Sequence, residues 1–468
     1  MSRSIVLLIL HFFVSVLQAQ VMGKHGRIIV SPNGHFLQYE DGKPFFWLGD
    51  TGWELFHRLD KEEVEKYFEN RRHKGFTVIQ AVILAEFNGL KKPDRYGQTP
   101  LIGLDPDHPN EIYFRWVDTV ITMAARKNLI MALLPTWGDK VTLMWGEGPV
   151  VFNEQNAYRY GLWLGKRYRN FTNIIWMLGG DRPPMKDSLD WRPVWRAMAK
   201  GILEGTDQKA IFTYHTSGGP HTTSTYLHNE SWLSINTMQS GHGSGHDVPV
   251  WEWIARDWTL NPVKPTLDAE PNYEDHPVNP WPTWDTANGY FNDYDVRKQT
   301  YRSVFAGACG VTYGHHSVWQ FWSPREEKVN HADCYWTDAI DRPGAFQAGW
   351  LRRLIESRPQ LNRIPDQAMI LEKHADRSRQ MVATRSSDGS FAMIYLPYGE
   401  KVEVLTNFTK SDKLKAWWFN PRNAKASFIG VLERKEKMVF TPPSLGFMND
   451  WVLVLDDPSK AYSTPGTK

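Results

Sequence analysis

Strand-like apolar runs alternate with amphipathic helices from Phe45 onward, and short runs broken by turn residues follow beyond Pro365. This order predicts an α/β chain, a (β/α)8 TIM barrel followed by a C-terminal antiparallel β-sandwich. Three observations carry the prediction. Eight strand–helix units fit into about three hundred residues. No glycine fingerprint for a dinucleotide follows any strand, which weighs against the competing doubly wound sheet. The chain has 468 residues, more than one ordinary domain holds. The divisions expected are a secretory signal over 1–19, a barrel with a short β lead-in over 24–362, and the sandwich over 363–468.

The lead-in contains Asp41-Gly42, a tight-turn signal between two apolar stretches. "FFWLGDT" is the first barrel strand. The helix after it, "DKEEVEKYFENRRHKG", is capped by Asp60 and stopped at Gly75. The later strands read "FTVIQAVIL", "LIMALLPTW", "NIIWMLGGD", "AIFTYHTS", "WLSINTMQSG", "KPTLDAEP" and "GVTYGHHSVWQ". Between them lie periodic helical stretches such as "YFRWVDTVITMAARKN" and "DVRKQTYRSVFAGA", and "GAFQAGWLRRLIES" closes the series. The runs from "AMILEKH" to "DWVLVLD" are short, even in spacing and bounded by turn residues, as in a sandwich. No low-complexity linker separates the two parts, so the second is expected to dock on the first.

A formal net charge of +2 gives no field that would recruit nucleic acid. The 22 Trp stand out, because sugar clefts place flat aromatic faces against the C–H faces of sugar rings. At the N-terminus Arg3 precedes an apolar run from Ile5 to about Leu17 and a small-residue site at "LQA". This pattern predicts export with cleavage after Ala19, and the run is shorter than the roughly 20 residues of a membrane span. The two cysteines, Cys309 and Cys334, could be bridged or free.

Barrel enzymes take their catalytic groups from the C-terminal ends of strands. Those ends carry Asp50, Glu86, Trp137, Asp139 with Lys140, Asp181, His215, Gln239, Asp268 with Glu270, and His315, His316, Trp319 and Trp322. Asp181 and Glu270 end strands four and seven, which lie nearly opposite each other, so their carboxyls can flank one bond. Glycoside hydrolysis needs that pair: one acid to protonate the leaving oxygen and one carboxylate at the anomeric carbon. A salt bridge from Glu270 to Arg182 or Lys140 is the structural alternative. Asp50 and Glu86 read equally as caps or as contacts to sugar hydroxyls. With them Trp137, Asp139, His215, Gln239, His316, Trp319 and Trp322 make up the expected substrate-binding set. The histidines at 215, 221, 228, 242 and 246 match no metal-ligand spacing, so no metal or other cofactor is expected.

Three stretches, "SPNGHFLQYEDGKPFFWLGDTGWELFHRL", "WMLGGDRPP" and "DAEPNYE", resemble the pectin-degrading apiosidases of glycoside hydrolase family 140. The resemblance covers nearly all of the chain after the signal. It implies a barrel followed by a β-sandwich, with action on apiofuranosyl residues in side chains of rhamnogalacturonan-II. It also implies a retaining, metal-free reaction with Asp181, the Asp of "GGD", as acid/base and Glu270, the Glu of "DAEP", as nucleophile. Where other barrel glycosidases carry Asn-Glu at the fourth strand, this chain has Gly180-Asp181, which suggests a narrower cleft suited to a small branched furanose. The expected partner is a plant cell-wall polysaccharide or oligosaccharide, met by an exported monomer. Two alternatives remain: a barrel glycosidase for an arabinofuranoside or galactoside, and a polysaccharide binder with a dead site whose contacts would include Trp417, Trp418 and Phe419.

Overall fold

A computed structural model of the protein describes residues 25–467; the expected signal segment lies outside them. Eight parallel strands form one sheet: Trp47–Thr51, Val78–Val82, Ile130–Leu134, Ile174–Gly179, Phe212–His215, Asn236–Met238, Thr266–Asp268 and Gly310–Tyr313. The first and last strands pair in register, Trp47 beside Gly310. Between strands five and six Ser234 N and Ile235 N donate to Phe212 O, and Thr213 Oγ1 donates to Ile235 O. These bonds close the ring. Most strand residues are buried, as both faces of a barrel strand must be.

Several strands feed helices whose starts are set by side-chain caps. Helix Lys61–His73 opens on a capping box in which Asp60 accepts from Glu63 N. Helix Glu111–Arg126 is capped by Asn110, and Glu154–Tyr168 by Asn153. The lead-in is a three-stranded antiparallel sheet, Ile28–Val30, Leu37–Tyr39 and Pro44–Phe45. Its Ile28, Phe36 and Leu37 pack with Val78, Ile130, Ile175 and Ile235, residues at the starts of barrel strands. The lead-in therefore plugs the end of the barrel opposite the catalytic face.

The C-terminal part is antiparallel. A six-stranded sheet runs in the order Arg363–Pro365, Val382–Ser386, Phe391–Leu396, Trp451–Asp456, Lys413–Asn420, Lys425–Glu433, and the pair Val402–Leu405 and Lys437–Phe440 packs beside it. The stretch "AMILEKH" is not a strand: Gln367–Met369 is a single 3₁₀ turn, and Ile370 makes only an isolated bridge to Val404. Trp418 and Phe419 are core, while Trp417 is half-buried. Docking is extensive. Helix Asp293–Phe305 is buried from Tyr294 to Phe305, with Tyr301 and Phe305 packed among Phe391, Tyr395 and Val454 of the sheet. Its charges all find partners: Arg297 holds Asp450 at 3.0 and 3.1 Å, and Arg302 donates to three carbonyls of residues 377–380. Cys309 and Cys334 are both free thiols.

Candidate active site

The apolar strand Ile174–Gly179 ends in three successive residues with left-handed backbone: Gly179 at φ 87°, Gly180 at 108° and Asp181 at 57°. A Cβ on Gly179 would sit 2.2 Å from His215 O, and one on Gly180 2.7 Å from Gly138 N, so both positions need glycine. Aspartate is among the few side chains that tolerate the third. The turn lays the Asp181 amide against His215, whose Nδ1 accepts it at 3.2 Å. Trp145 Nε1 donates to Asp181 Oδ2 at 3.0 Å, with Arg182 Nη1 at 3.3 Å. Arg182 is itself fixed by Trp145, through its carbonyl at 2.6 Å and its ring at 4.1 Å.

Glu270 follows strand seven and is nearly buried. His215 Nε2 lies 2.8 Å from its Oε2. Gln239 Nε2 donates to Oε1 at 2.9 Å, and His242 Nε2 lies 3.1 Å from the same atom. Because backbone amides of Asp181 and Tyr273 point at Nδ1 of His215 and His242, each ring presents its Nε2–H to the carboxylate. The phenol of Tyr273 also faces Glu270. Neither Arg182 nor Lys140 bonds it, since Lys140 pairs with Asp139.

The two carboxyls are thereby poised differently. Burial raises the Asp181 pKa, helped by the negative charge of Glu270 and opposed by Arg182 and His215. Burial also pushes Glu270 upward, but the bonds from His215 and His242 outweigh it and bring Glu270 down to about 2. One cavity of about 580 Å³ contains both groups. Its walls are aromatic, with Trp53, Trp137, Trp145, Trp281, Trp284 and Trp319 among them.

Of the expected substrate contacts, Glu86, Trp137, Gln239 and Trp319 line this cavity. The Glu86 carboxyl has its pKa raised well above the usual range by burial and by Glu54, Asp181 and Asp139. His215 lies behind the cavity, against Glu270. Four residues belong elsewhere. Asp50 sits on the opposite face of its strand from Gly49 and is wholly buried against Arg71 Nε and Tyr67 OH, at 2.6 and 2.5 Å. Asp139 is sealed between Lys140 and Gly148 N. His316 is spent on Asn330 O and on Trp319 Nε1, and Trp322 packs on Tyr335 and donates to Glu326 O. Sequence reading missed Trp53, Trp145, His242, Tyr273, Trp281 and Trp284 as parts of the site. "NPWPTW", aromatics set between prolines, was a usable signal for two of them.

The histidine stretch assembles no ligand set: His215 and His242 serve Glu270, His228 meets Asn236 and His246 meets Asp295. Among the described residues Asp275, His315 and Cys334 bring three potential ligand atoms within 4.8 Å of one another. Arg342 Nε already pairs with Asp275 at 2.7 Å, so a cation occupies that carboxylate.

Comparison with known proteins places the chain among glycoside hydrolases. The family described as "Apiosidase-like, catalytic domain" matches residues 31–362. A second family, described for a collagen-binding domain of a collagenase, matches residues 364–456. A solved glycoside hydrolase is 33% identical, with 94% of this chain and 98% of that one aligned at a TM-score of 0.85. A structure titled as a glycoside hydrolase of family 5 from Bacteroides vulgatus is 31% identical over 94% and 96% of the two chains, with a TM-score of 0.84. A family 27 β-L-arabinopyranosidase from Geobacillus stearothermophilus, 10% identical over 88% and 96% at 0.55, shares the fold alone. No curated protein matches the chain.

Proposed function

This chain belongs to the apiosidase-like family of glycoside hydrolases, and we propose that it is a retaining enzyme cleaving β-apiosyl linkages in pectin, at rhamnogalacturonan-II side chains. The observation that carries the reading is the contrast at the centre of the cavity: Glu270 is held ionised by His215, Gln239 and His242, beside an Asp181 whose pKa is raised. Nucleophile and acid require those opposite states.

In the first step a Glu270 oxygen attacks the anomeric carbon, the glycosidic C–O bond breaks, and Asp181 gives its proton to the departing oxygen. Water enters in the second step. Asp181, now ionised, takes a water proton as the water oxygen attacks the same carbon, and Glu270 leaves as the carboxylate. His215, Gln239 and His242 stabilise Glu270 whenever it carries charge. The tryptophan walls shield the reacting centre and offer flat faces to the sugar. The proposal takes the enzyme to be exported and monomeric. Among the described residues no helix is long and apolar enough to cross a membrane.

An arabinofuranoside or galactoside is the competing substrate for a barrel glycosidase. Hydrolysis rates on aryl β-apioside, α-arabinofuranoside and β-galactoside decide between them. A kcat/KM highest for the apioside supports the proposal, and preference for a hexopyranoside overturns it.

A further inference from the structure

One nitrogen in the wall of the catalytic cavity has no part in the reaction just described. His276 follows strand seven, is 3% exposed and lines the same cavity as Glu270. Its Nδ1 lies 2.6 Å from Pro277 O. A carbonyl only accepts, so Nδ1 carries the hydrogen and Nε2 keeps a bare lone pair. That Nε2 makes no hydrogen bond or ion pair with any described residue. Nor is it sealed inside the fold, as the second nitrogen of His228 is; it opens on the cavity that the residue lines.

The ring is held in one place. Its plane lies nearly parallel to that of His242, with centroids 4.3 Å apart and 14° between planes. Trp284 meets it edge-on at 4.7 Å and 90°, and His316 at 4.3 Å and 72°. The backbone is tied as well: His276 N donates to Tyr273 O at 3.2 Å, and Phe291 N to His276 O at 3.0 Å. Burial, with His316 and His242 alongside, pushes the His276 pKa well below the usual imidazole value. Nε2 is therefore a fixed, neutral acceptor at neutral pH.

If His276 only filled space, a phenyl ring would do so without a polar atom. A histidine with one nitrogen spent on its own loop and the other open to the cavity is matched to a donor on a ligand. The chemistry of that donor is narrow. This Nε2 cannot donate, so a carboxylate or an ether oxygen gains nothing from it, whereas a hydroxyl does. The position is set by His242, which stacks on His276 and places its own Nε2 3.1 Å from Glu270 Oε1. The hydroxyl within reach thus belongs to the sugar at the nucleophile.

We propose that His276 is a specificity-determining residue, whose Nε2 accepts a hydrogen bond from one hydroxyl of the sugar unit that Glu270 attacks. The inference rests on the reading of the cavity as a glycosidase active site, and deepens it by making one glycone hydroxyl a requirement. A sugar lacking that hydroxyl is refused, because the buried Nε2 stays unpaired in the complex. One alkylated or acylated there is refused too, so an esterified chain needs a de-esterifying reaction before this one.

The test uses the full chain, an aryl β-apioside and its three monodeoxy forms, each lacking one hydroxyl. If the wild type cleaves the arabinofuranoside or galactoside faster, that glycoside and its monodeoxy forms take their place. His276→Phe keeps the aromatic packing, and His276→Gln sets an amide oxygen near the position of Nε2. His276→Phe is expected to raise KM and lower kcat/KM on the parent about 10- to 100-fold. Its kcat should stay within about twofold and the acid limb of the pH profile should not move. His276→Gln should restore part of the loss. One monodeoxy form should be cleaved equally by the wild type and His276→Phe. An unchanged kcat/KM on the parent, an equal loss on the parent and all three monodeoxy forms, or a His276→Gln as weak as His276→Phe overturns the assignment. A wild type that cleaves none of the glycosides strikes the catalytic reading and this assignment with it, so the two failures are distinguishable.

Discussion

His215 joins Asp181 to Glu270 through one imidazole: its Nδ1 accepts the Asp181 amide at 3.2 Å, and its Nε2 lies 2.8 Å from Glu270 Oε2. The two carboxyls that the proposed reaction brings to one bond are thus joined by a shared ring, itself packed against Trp53 and Trp137.

His215→Ala removes one of the groups that hold Glu270 down and frees the Asp181 turn. We expect kcat to fall about 100-fold, the scale of losing one preorganised donor at a charged centre. The acid limb of the kcat/KM profile should move to higher pH. A pH–rate profile checks both, and an unmoved acid limb would contradict the role.

The profile of the unaltered enzyme should be set on its basic side by Asp181, with activity lost as pH rises through its elevated pKa. The acid side should stay flat to low pH, because Glu270 titrates at about 2. Trp145 donates to the ionised form of Asp181 and so lowers its pKa. Trp145→Phe therefore shifts the basic limb to higher pH.

Burial lifts Asp268 to about 7, against the partial opposition of hydroxyls from Ser240 and Ser303. Free aspartate titrates near 3.9, at roughly that pH in an unfolded chain. The folded state therefore binds the extra proton, and stability fully present below about pH 4 is lost as pH rises through about 7. Melting temperatures measured across that window should fall more steeply for the wild type than for Asp268→Asn.

The buried Arg297–Asp450 pair fastens the β-domain to the barrel. Arg297→Ala leaves the buried Asp450 carboxylate with only Arg422 and Tyr395 as partners and should cost up to about 3 kcal/mol in denaturant unfolding. The double variant with Asp450→Ala should recover part of that loss in a mutant cycle.

The barrel was legible because its strands are apolar on both faces and its helices carry caps such as Asp60 and Asn153. Strand ends also pointed to Asp181 and Glu270, since a strand read in order delivers its terminal residue to the catalytic face. The same reading misplaced Asp50, because successive strand residues face opposite sides and Asp50 turns to Arg71 in the helix layer. Asp139, His316 and Trp322 follow strand ends too, but loop partners such as Gly148, Asn330 and Tyr335 draw them away. Trp145 and Trp281 reach the cavity from long loops whose path no local pattern fixes. The burial of helix Asp293–Phe305 was equally hidden, as Arg297 and Arg302 are satisfied by β-domain residues 75 to 153 positions further on.

The central claim is that Glu270 attacks the sugar while Asp181 supplies the proton. Incubation with a 2-fluoro aryl apioside, followed by peptide mapping in a mass spectrometer, tests it most directly. A glycosyl adduct on the peptide "LDAEPNYE", at Glu270, is the predicted result. An adduct on another carboxylate, or release of inverted sugar with no adduct, would contradict it.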